Sequence, residues 1–407
     1  MALYGLRELA LQSFEPLGLM AEASHQTVNF WGNFVAWIPG MREAGAALES
    51  FSRLAKGYGK PGFAIDDVIV SGQRVAVTET VLIDEPFCRL LRFKKDMPCP
   101  GPQVLLVAPL SGHYATLLRP TVEALLPEHD VCITDWTDAR FVPLDAGRFD
   151  LGCYVEYLKR FMRYLGTDTH VIAVCQPGVP VLCAIAQMAE DSEHAQPRTM
   201  TLIAAPIDTR VSPTPVNQFA QTYTLPWFEA NVIERVPARY PGMGRQVYPG
   251  FLQLAGFVSM NMSRHADAHL DFYCNLVKGN QNEAALHRKF YDEYNAVLDV
   301  PAEYYLETIQ KVFQEHHLSR GCMEVGNRRV HLEAITKVAL LTIEGAEDDI
   351  TGRDQTEAAH LLCTGISPKH RKHVVVDGVG HYGTFAGRRF HQCILPAITQ
   401  FIGMHAA

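Results

Sequence analysis

His170-Val171-Ile172-Ala173-Val174, then Cys175, then Gln176-Pro177-Gly178, then a helix-like stretch from Val179 to Ala189, is the part of the chain that decides its fold. The apolar run reads as a buried strand and the Pro-Gly pair as a sharp turn. A strand, a tight turn and a helix with a thiol at the turn form a nucleophile elbow. Such a turn aims Cys175 at the N-terminal end of the next helix, whose partial positive charge favours an anion. The backbone N–H of Gln176 then faces the oxygen of a bound substrate. A thiol attacks only as thiolate, so the rest of the chain must supply a base, an acid and a second oxyanion donor.

The segments around the elbow alternate between strand and helix. Val104 to Ala108, Asp130 to Thr134, Met200 to Ala204, Val338 to Ile343 and Lys372 to Val376 read as strands. Pro120 opens a helix that ends near Leu126-Pro127. Leu151, Val155, Leu158, Met162 and Leu165 mark one face of another, stopped by Gly166, and a last helix runs from Arg388 to Ile402. This alternation predicts an α/β fold, a mostly parallel sheet with helices on both faces. Ahead of it, residues 1 to about 57 read as helical, with Trp31 and Trp37 following, and residues 66–94 read as three strands. Lys94 to Pro102 is a polar, Pro-rich connector. From about Pro206 to Arg328 the pattern breaks into helical or irregular sequence with many aromatics, which predicts a cap inserted over the site. The expected divisions are 1–100 (helices and first strands), 101–206 (core with the elbow), 207–328 (cap) and 329–407 (remainder of the core).

The base is expected at His381, in Asp377-Gly378-Val379-Gly380-His381-Tyr382-Gly383, just after the last strand. Glycines on both sides let a histidine project from a tight loop. The acid is expected in Glu344-Gly345-Ala346-Glu347-Asp348-Asp349, where four carboxylates compete. Asp348, three residues past Gly345, is preferred to Asp349. A carboxylate there accepts the imidazole N–H and stabilises the imidazolium. The order Cys175, Asp348, His381 is nucleophile, acid, base, as in α/β-hydrolases. The second oxyanion donor is expected from the backbone of Ser111, with Leu110 next, in Pro109-Leu110-Ser111-Gly112-His113. Leu110, His113, Trp136 and Trp227 are the candidate pocket-lining side chains. His265-x-Asp267-x-His269 places two histidines four apart, as zinc ligands on a helix are spaced, but no third ligand stands at a standard spacing, and no metal is expected.

Composition narrows the setting. The 407 residues are 48% hydrophobic and 20% charged, with a net charge of −8, so no basic footprint points to nucleic acid. The start of the chain lacks the basic and apolar regions of a signal peptide, and no apolar run is long enough for a membrane helix. Ten cysteines without a C-x-x-C pair read as reduced thiols in a bacterial-type cytosolic protein.

Four stretches together resemble the intracellular polyhydroxybutyrate depolymerases: Val107 to Arg119, Ile133 to Arg140, Val171 to Pro177 and Gly378 to Gly383. The resemblance runs nearly end to end. It implies an α/β-hydrolase fold and hydrolysis of amorphous poly(3-hydroxybutyrate) at storage granules in the cytoplasm. It also implies a Cys-Asp-His triad at Cys175, Asp348 and His381. Ala173 and Pro177 stand where the general G-x-S-x-G elbow has glycines, a departure that the depolymerase family shares. Polyhydroxyalkanoate synthases, which also use a cysteine, normally keep glycines around it. A non-catalytic granule-surface protein is the rival from another class. No cofactor is expected, although a thioester intermediate would let coenzyme A replace water as acceptor. A homodimer is an open expectation.

Overall fold

Nine strands form the main sheet of the computed structural model, which describes residues 2–30, 40–98 and 101–406. They are β1 (Asp67–Val70), β2 (Gln73–Asp84), β3 (Cys88–Lys95), β4 (Gln103–Val107), β5 (Asp130–Trp136), β6 (Thr169–Val174), β7 (Thr199–Ile203), β8 (Ala339–Gly345) and β9 (Arg371–Val376). Their order across the sheet is β1-β2-β3-β5-β4-β6-β7-β8-β9. The pairs from β1 through β3 to β5 are antiparallel, and all pairs from β5 to β9 are parallel. Every residue of β5, β6, β7 and β8 is buried, as a sheet covered on both faces requires.

Local chemistry explains the helices between the strands. In α1 (Leu151–Leu165) the Asp150 side chain accepts the Cys153 N–H at 2.9 Å, and Gly166, at φ +88°, ends the helix. It packs beside α2 (Gly178–Glu190), the helix that follows the elbow. The final helix begins at Gly387, close to the expected Arg388, and widens into a π-type turn over Phe390–Ile394 before regular helix α3 continues over Leu395–His405. Pro396 accounts for the wide turn, because its ring removes a backbone donor and crowds the preceding turn.

The stretch between β7 and β8 is mainly helical, as expected, but it also carries short strands that the sequence did not reveal. Residues 234–235, 246–248 and 300–301 form a three-stranded sheet, and 324–325 pairs with 328–329. The N-terminal segment is helical over Ala2–Phe30 and Met41–Ala55. Its first turn is tied to the inserted stretch: Tyr4 donates to Asp299 at 2.6 Å, and Arg7 lies over the Phe251 ring. Trp31, Trp37 and the Cys99-Pro100 part of the connector lie outside the described residues. Among the described residues no helix is long and apolar enough to cross a membrane.

Parallel strands β4 to β9 all end at one edge. Cys175 follows β6, the Asp348 turn follows β8 and the His381 loop follows β9. This strand order, with the three loops gathered at the C-terminal ends of the strands, is the α/β-hydrolase fold.

Candidate active site

Cys175 has φ +66°, a left-handed conformation that a side-chain-bearing residue adopts only where the surroundings enforce it. Two contacts do so. Its N–H donates to the Ile203 carbonyl at 2.7 Å, and its carbonyl accepts from Gly178 N–H at 3.1 Å. Gly178 is needed here for space, since a Cβ would fall 2.4 Å from the Ala205 Cβ. The glycine of this elbow thus stands one place beyond Pro177, where helix α2 presses on the end of β7.

His381 opens a short helical turn, His381–Thr384, and Thr384 donates its hydroxyl to the His381 carbonyl at 2.6 Å. Its Nδ1 lies 2.8 Å from Asp348 Oδ2, and both side chains are buried. Asp348 Oδ1 is held separately by the N–H groups of Ile350 at 2.9 Å and Thr351 at 2.8 Å. The competing carboxylates turn elsewhere. Glu344 accepts from the backbone of Asp354, Thr356 and Glu357, and Asp349 accepts from Asn261 at 3.3 Å. Glu347 is exposed. Burial alone would lower the basicity of His381. The charges of Cys175 and Asp348, with the hydrogen bond to Asp348, outweigh burial and hold the imidazole well above its usual range. Tyr382 and Phe385 meet the ring edge-on, with centroids at 6.0 Å each, and brace it.

Cys175 and His381 share the wall of a cavity of about 440 Å³. Pro109, Leu110, Ser111, His113 and Gln176 also line it, so the expected oxyanion loop stands next to the thiol. His113 proves both a wall residue and a structural one. Its Nε2 donates to the Tyr294 carbonyl at 3.1 Å, and burial pushes its pKa down to about 4, so it is a neutral donor.

Two pocket candidates lie elsewhere. Trp136 is fully buried in the core, where its indole N–H donates to the Ala108 carbonyl at 2.7 Å and its ring packs on Tyr154. That bond satisfies its polar end, so it supports the loop after β4 from behind. Trp227 stacks on Tyr223 at 4.0 Å and backs Phe219, which does line the cavity. His265 is hydrogen-bonded to the Tyr291 and Tyr294 hydroxyls, and the His269 ring packs on Tyr291. No cluster of three or more metal-ligating side chains occurs among the described residues.

The sequence reading did not single out the residues that complete the cavity. Phe219, Tyr248, Phe257, Met260, Tyr305 and Phe313 come from the inserted stretch and make its wall apolar. Gln253 matters for another reason. It is buried, and its Oε1 would lie 2.7 Å from a Cβ at Gly112, so it presses on the Ser111-Gly112 loop. Its amide donates to the Tyr248 carbonyl at 3.0 Å, while Gly112 accepts from Leu298 N–H at 2.7 Å. The inserted stretch thereby holds the Ser111-Gly112 loop in place. A Gly beside the loop was the only trace of this contact in the sequence.

A family described as "PHB de-polymerase C-terminus" matches residues 204–406, which include Asp348 and His381; Cys175 precedes the matched stretch. Curated protein sequences give no match. Distant likenesses occur among solved structures. A thermophilic esterase from Thermogutta terrifontis is 12% identical, with 84% of this chain and 98% of the other covered and a TM-score of 0.42. The 2-hydroxy-6-oxo-6-phenylhexa-2,4-dienoate hydrolase from Rhodococcus sp. strain RHA1 is 14% identical, with 81% and 99% covered and a TM-score of 0.44. A meta-cleavage product hydrolase from Pseudomonas fluorescens IP01 is 15% identical, with 83% and 97% covered and a TM-score of 0.40. On its strand order the chain is an α/β-hydrolase, and on the match across its C-terminal half it belongs to the polyhydroxybutyrate depolymerase family.

Proposed function

We propose that this hydrolase cleaves the ester bonds of amorphous poly(3-hydroxybutyrate) with Cys175 as nucleophile, His381 as base and Asp348 as the acid that orients it. The observation that carries the reading is the 2.8 Å contact between His381 Nδ1 and Asp348 Oδ2, with His381 and Cys175 on the wall of one apolar cavity.

The chemistry runs in two halves. His381 takes the thiol proton and the sulfur attacks an ester carbonyl carbon. The backbone N–H groups of Gln176 and Ser111 hold the oxyanion of the tetrahedral intermediate. The carbon–oxygen bond of the ester breaks, and His381 gives its proton to the leaving hydroxyl. A hydroxybutyryl thioester remains on Cys175. His381 then takes a proton from water, the resulting hydroxide attacks the thioester, and the acid leaves as the thiol recovers its proton. A thioester also retains acyl-transfer potential, so coenzyme A is a second acceptor; a CoA ester should form when enzyme, polymer and coenzyme A are mixed, and its absence would remove this branch.

Apolar walls from Phe219, Phe257 and Phe313 suit a polyester with a methyl on each unit and no charge along the chain. We place the enzyme at the surface of cytoplasmic storage granules. Exposed Leu6, Leu9, Leu19 and Met20 on the helix Ala2–Phe30, with Leu54 on Met41–Ala55, support that placement by offering apolar surface to an insoluble polymer. The test is acid release from native amorphous granules by the wild type and by Cys175→Ala. Release that vanishes in the variant while granule binding persists supports the reading. Binding without release by the wild type would point to a surface protein or a synthase.

A further inference from the structure

Asp299 is buried, and both of its carboxylate oxygens are taken. Oδ1 accepts the Gly250 N–H at 2.9 Å, at the start of the helix Gly250–Met260. Oδ2 accepts the Tyr4 hydroxyl at 2.6 Å, the short contact of a hydroxyl bonded to a charged oxygen. The Asp299 N–H donates to Asp138 Oδ1 at 3.2 Å, and the Asp299 carbonyl accepts from Ala139 N–H at 3.0 Å. Arg140 forms its ion pair with Asp138, so the Asp299 carboxylate is held chiefly by the Tyr4 and Gly250 bonds. Burial and the Asp138 charge raise its pKa to about 6, and the Tyr4 hydrogen bond opposes that rise.

The neighbours of Asp299 hold the loop that carries Ser111. Leu298 N–H donates to the Gly112 carbonyl at 2.7 Å, Val297 bridges to His113, and the Tyr114 hydroxyl donates to Asp138 Oδ2 at 3.1 Å. Gly112, His113 and Tyr114 each lean on the 297–299 segment or on Asp138, which that segment bonds. The helix Gly250–Met260, whose first N–H Asp299 accepts, carries Gln253, Phe257 and Met260 to the cavity wall. On the other side of Asp299 stands the helix Ala2–Phe30. Tyr4 is buried with its ring edge-on to Phe251, and Glu8, one turn on, pairs with Arg239 of the inserted stretch. Leu3, Leu6 and Leu9 are exposed. The helix thus turns its polar groups inward and its leucines outward, the reverse of an ordinary surface helix.

We infer that Tyr4 and Asp299 are positioning residues for the reaction: the Tyr4 hydroxyl fixes the Asp299 carboxylate, and Asp299 fixes the Ser111-Gly112 loop beside Cys175. The inference rests on the proposed ester hydrolysis, in which that loop supplies an oxyanion donor. Neither residue lines the cavity, so both act through the loop. The helix whose outer face is offered to polymer has its inner face in the support of the active site, and it belongs to the catalytic unit as well as to the polymer-facing surface.

The test uses the full chain with Tyr4→Phe or Asp299→Asn, each a change of nearly constant shape, with a thermal melt to confirm folding; either variant alone suffices. Two rates are compared with the wild type. One is hydrolysis of methyl 3-hydroxybutyrate, which develops an oxyanion. The other is alkylation of Cys175 by iodoacetamide, read by mass spectrometry of its peptide. There the sulfur displaces iodide, the thiol proton passes to His381, and no oxyanion forms. The expected result is a kcat for the ester lowered about tenfold with KM within about twofold, at an unchanged alkylation rate, because the loop shifts while the thiol and its base do not. A wild-type kcat in either variant would overturn the inference. So would a parallel loss of both rates, which would mean that Tyr4 and Asp299 only stabilise the fold, or a change confined to KM. Failure of the wild type to cleave the ester would instead remove the underlying hydrolase reading, and the inference with it.

Discussion

Gly345 and Val379 meet backbone to backbone: a Cβ at Gly345 would lie 2.3 Å from the Val379 carbonyl oxygen. The same carbonyl accepts the Glu347 N–H at 3.0 Å. The end of β8, which leads to Asp348, is thus pressed directly against the loop that carries His381. This contact, as well as the hydrogen bond between them, positions Asp348 against His381. Gly345→Ala must push the two loops apart. We expect a loss of about 1–3 kcal/mol in stability, the usual penalty for overpacking, and a kcat reduced at least about tenfold with a smaller change in KM. Thermal melts and steady-state kinetics on a soluble ester measure both. A wild-type kcat would show that the contact does not position the pair.

Asp348 and Asp349 are neighbours with different partners, His381 and Asn261. Asp348→Asn keeps the shape but disfavours the imidazolium and the correct tautomer, so kcat should fall by about 10²–10⁴-fold. Asp349→Asn should leave kcat within about twofold. If the two variants exchanged these effects, the acid assignment would be wrong.

The sequence made the parallel strands legible because each is a short apolar run between turn residues. The elbow was legible because strand, turn and helix follow one another around Cys175. Distance past Gly345 favours Asp348 in the sequence, but the bond of Asp349 to Asn261, in the turn between two helices of the inserted stretch, could not be read locally. Trp136 misled because β5 is buried along its whole length, so alternation gives no clue to which residues face a cavity. In the inserted stretch the aromatics that pack on each other, such as Trp227, and those that face the cavity, such as Phe257, look alike in sequence. Two-residue strands such as 300–301 are too short to leave a pattern.

Acid should destabilise the fold. Burial lowers the pKa values of His113, His170, His287 and His360 to about 4 each, from an ordinary 6.5. Between those values the unfolded chain binds more protons than the folded one, so these groups stabilise the fold above pH 6.5 and lose that contribution as pH falls toward 4. Asp299 acts in the opposite sense. Burial, with the nearby Asp138 charge, raises its pKa from 3.8 to about 6, so it favours the folded state as pH falls through that window. His381, raised above 6.5, likewise contributes below 6.5 and loses its contribution as pH rises through its folded value. The four lowered histidines outnumber the single aspartate, and the melting temperature should drop steadily from pH 6.5 to 4. A flat profile over that range would contradict the neutral burial of these rings.

Gln253 reaches the Ser111-Gly112 loop, the proposed source of an oxyanion donor, from the inserted stretch. Gln253→Ala should loosen Ser111 and Gly112 and lower kcat by about tenfold, the lower end of what loss of an oxyanion donor costs. KM for a soluble ester should change less, because most of the cavity wall is untouched. A change confined to KM would make Gln253 part of the substrate wall instead.

The central claim is that Cys175 carries the acyl group. The most direct measurement is rapid quenching of the enzyme with a hydroxybutyrate ester, followed by proteolysis and mass spectrometry of the peptides. The account predicts one hydroxybutyryl group on the peptide containing Cys175, released by hydroxylamine at neutral pH as a thioester is, and absent in Cys175→Ala. An acyl group on any other residue, or undiminished ester cleavage by Cys175→Ala, would contradict it.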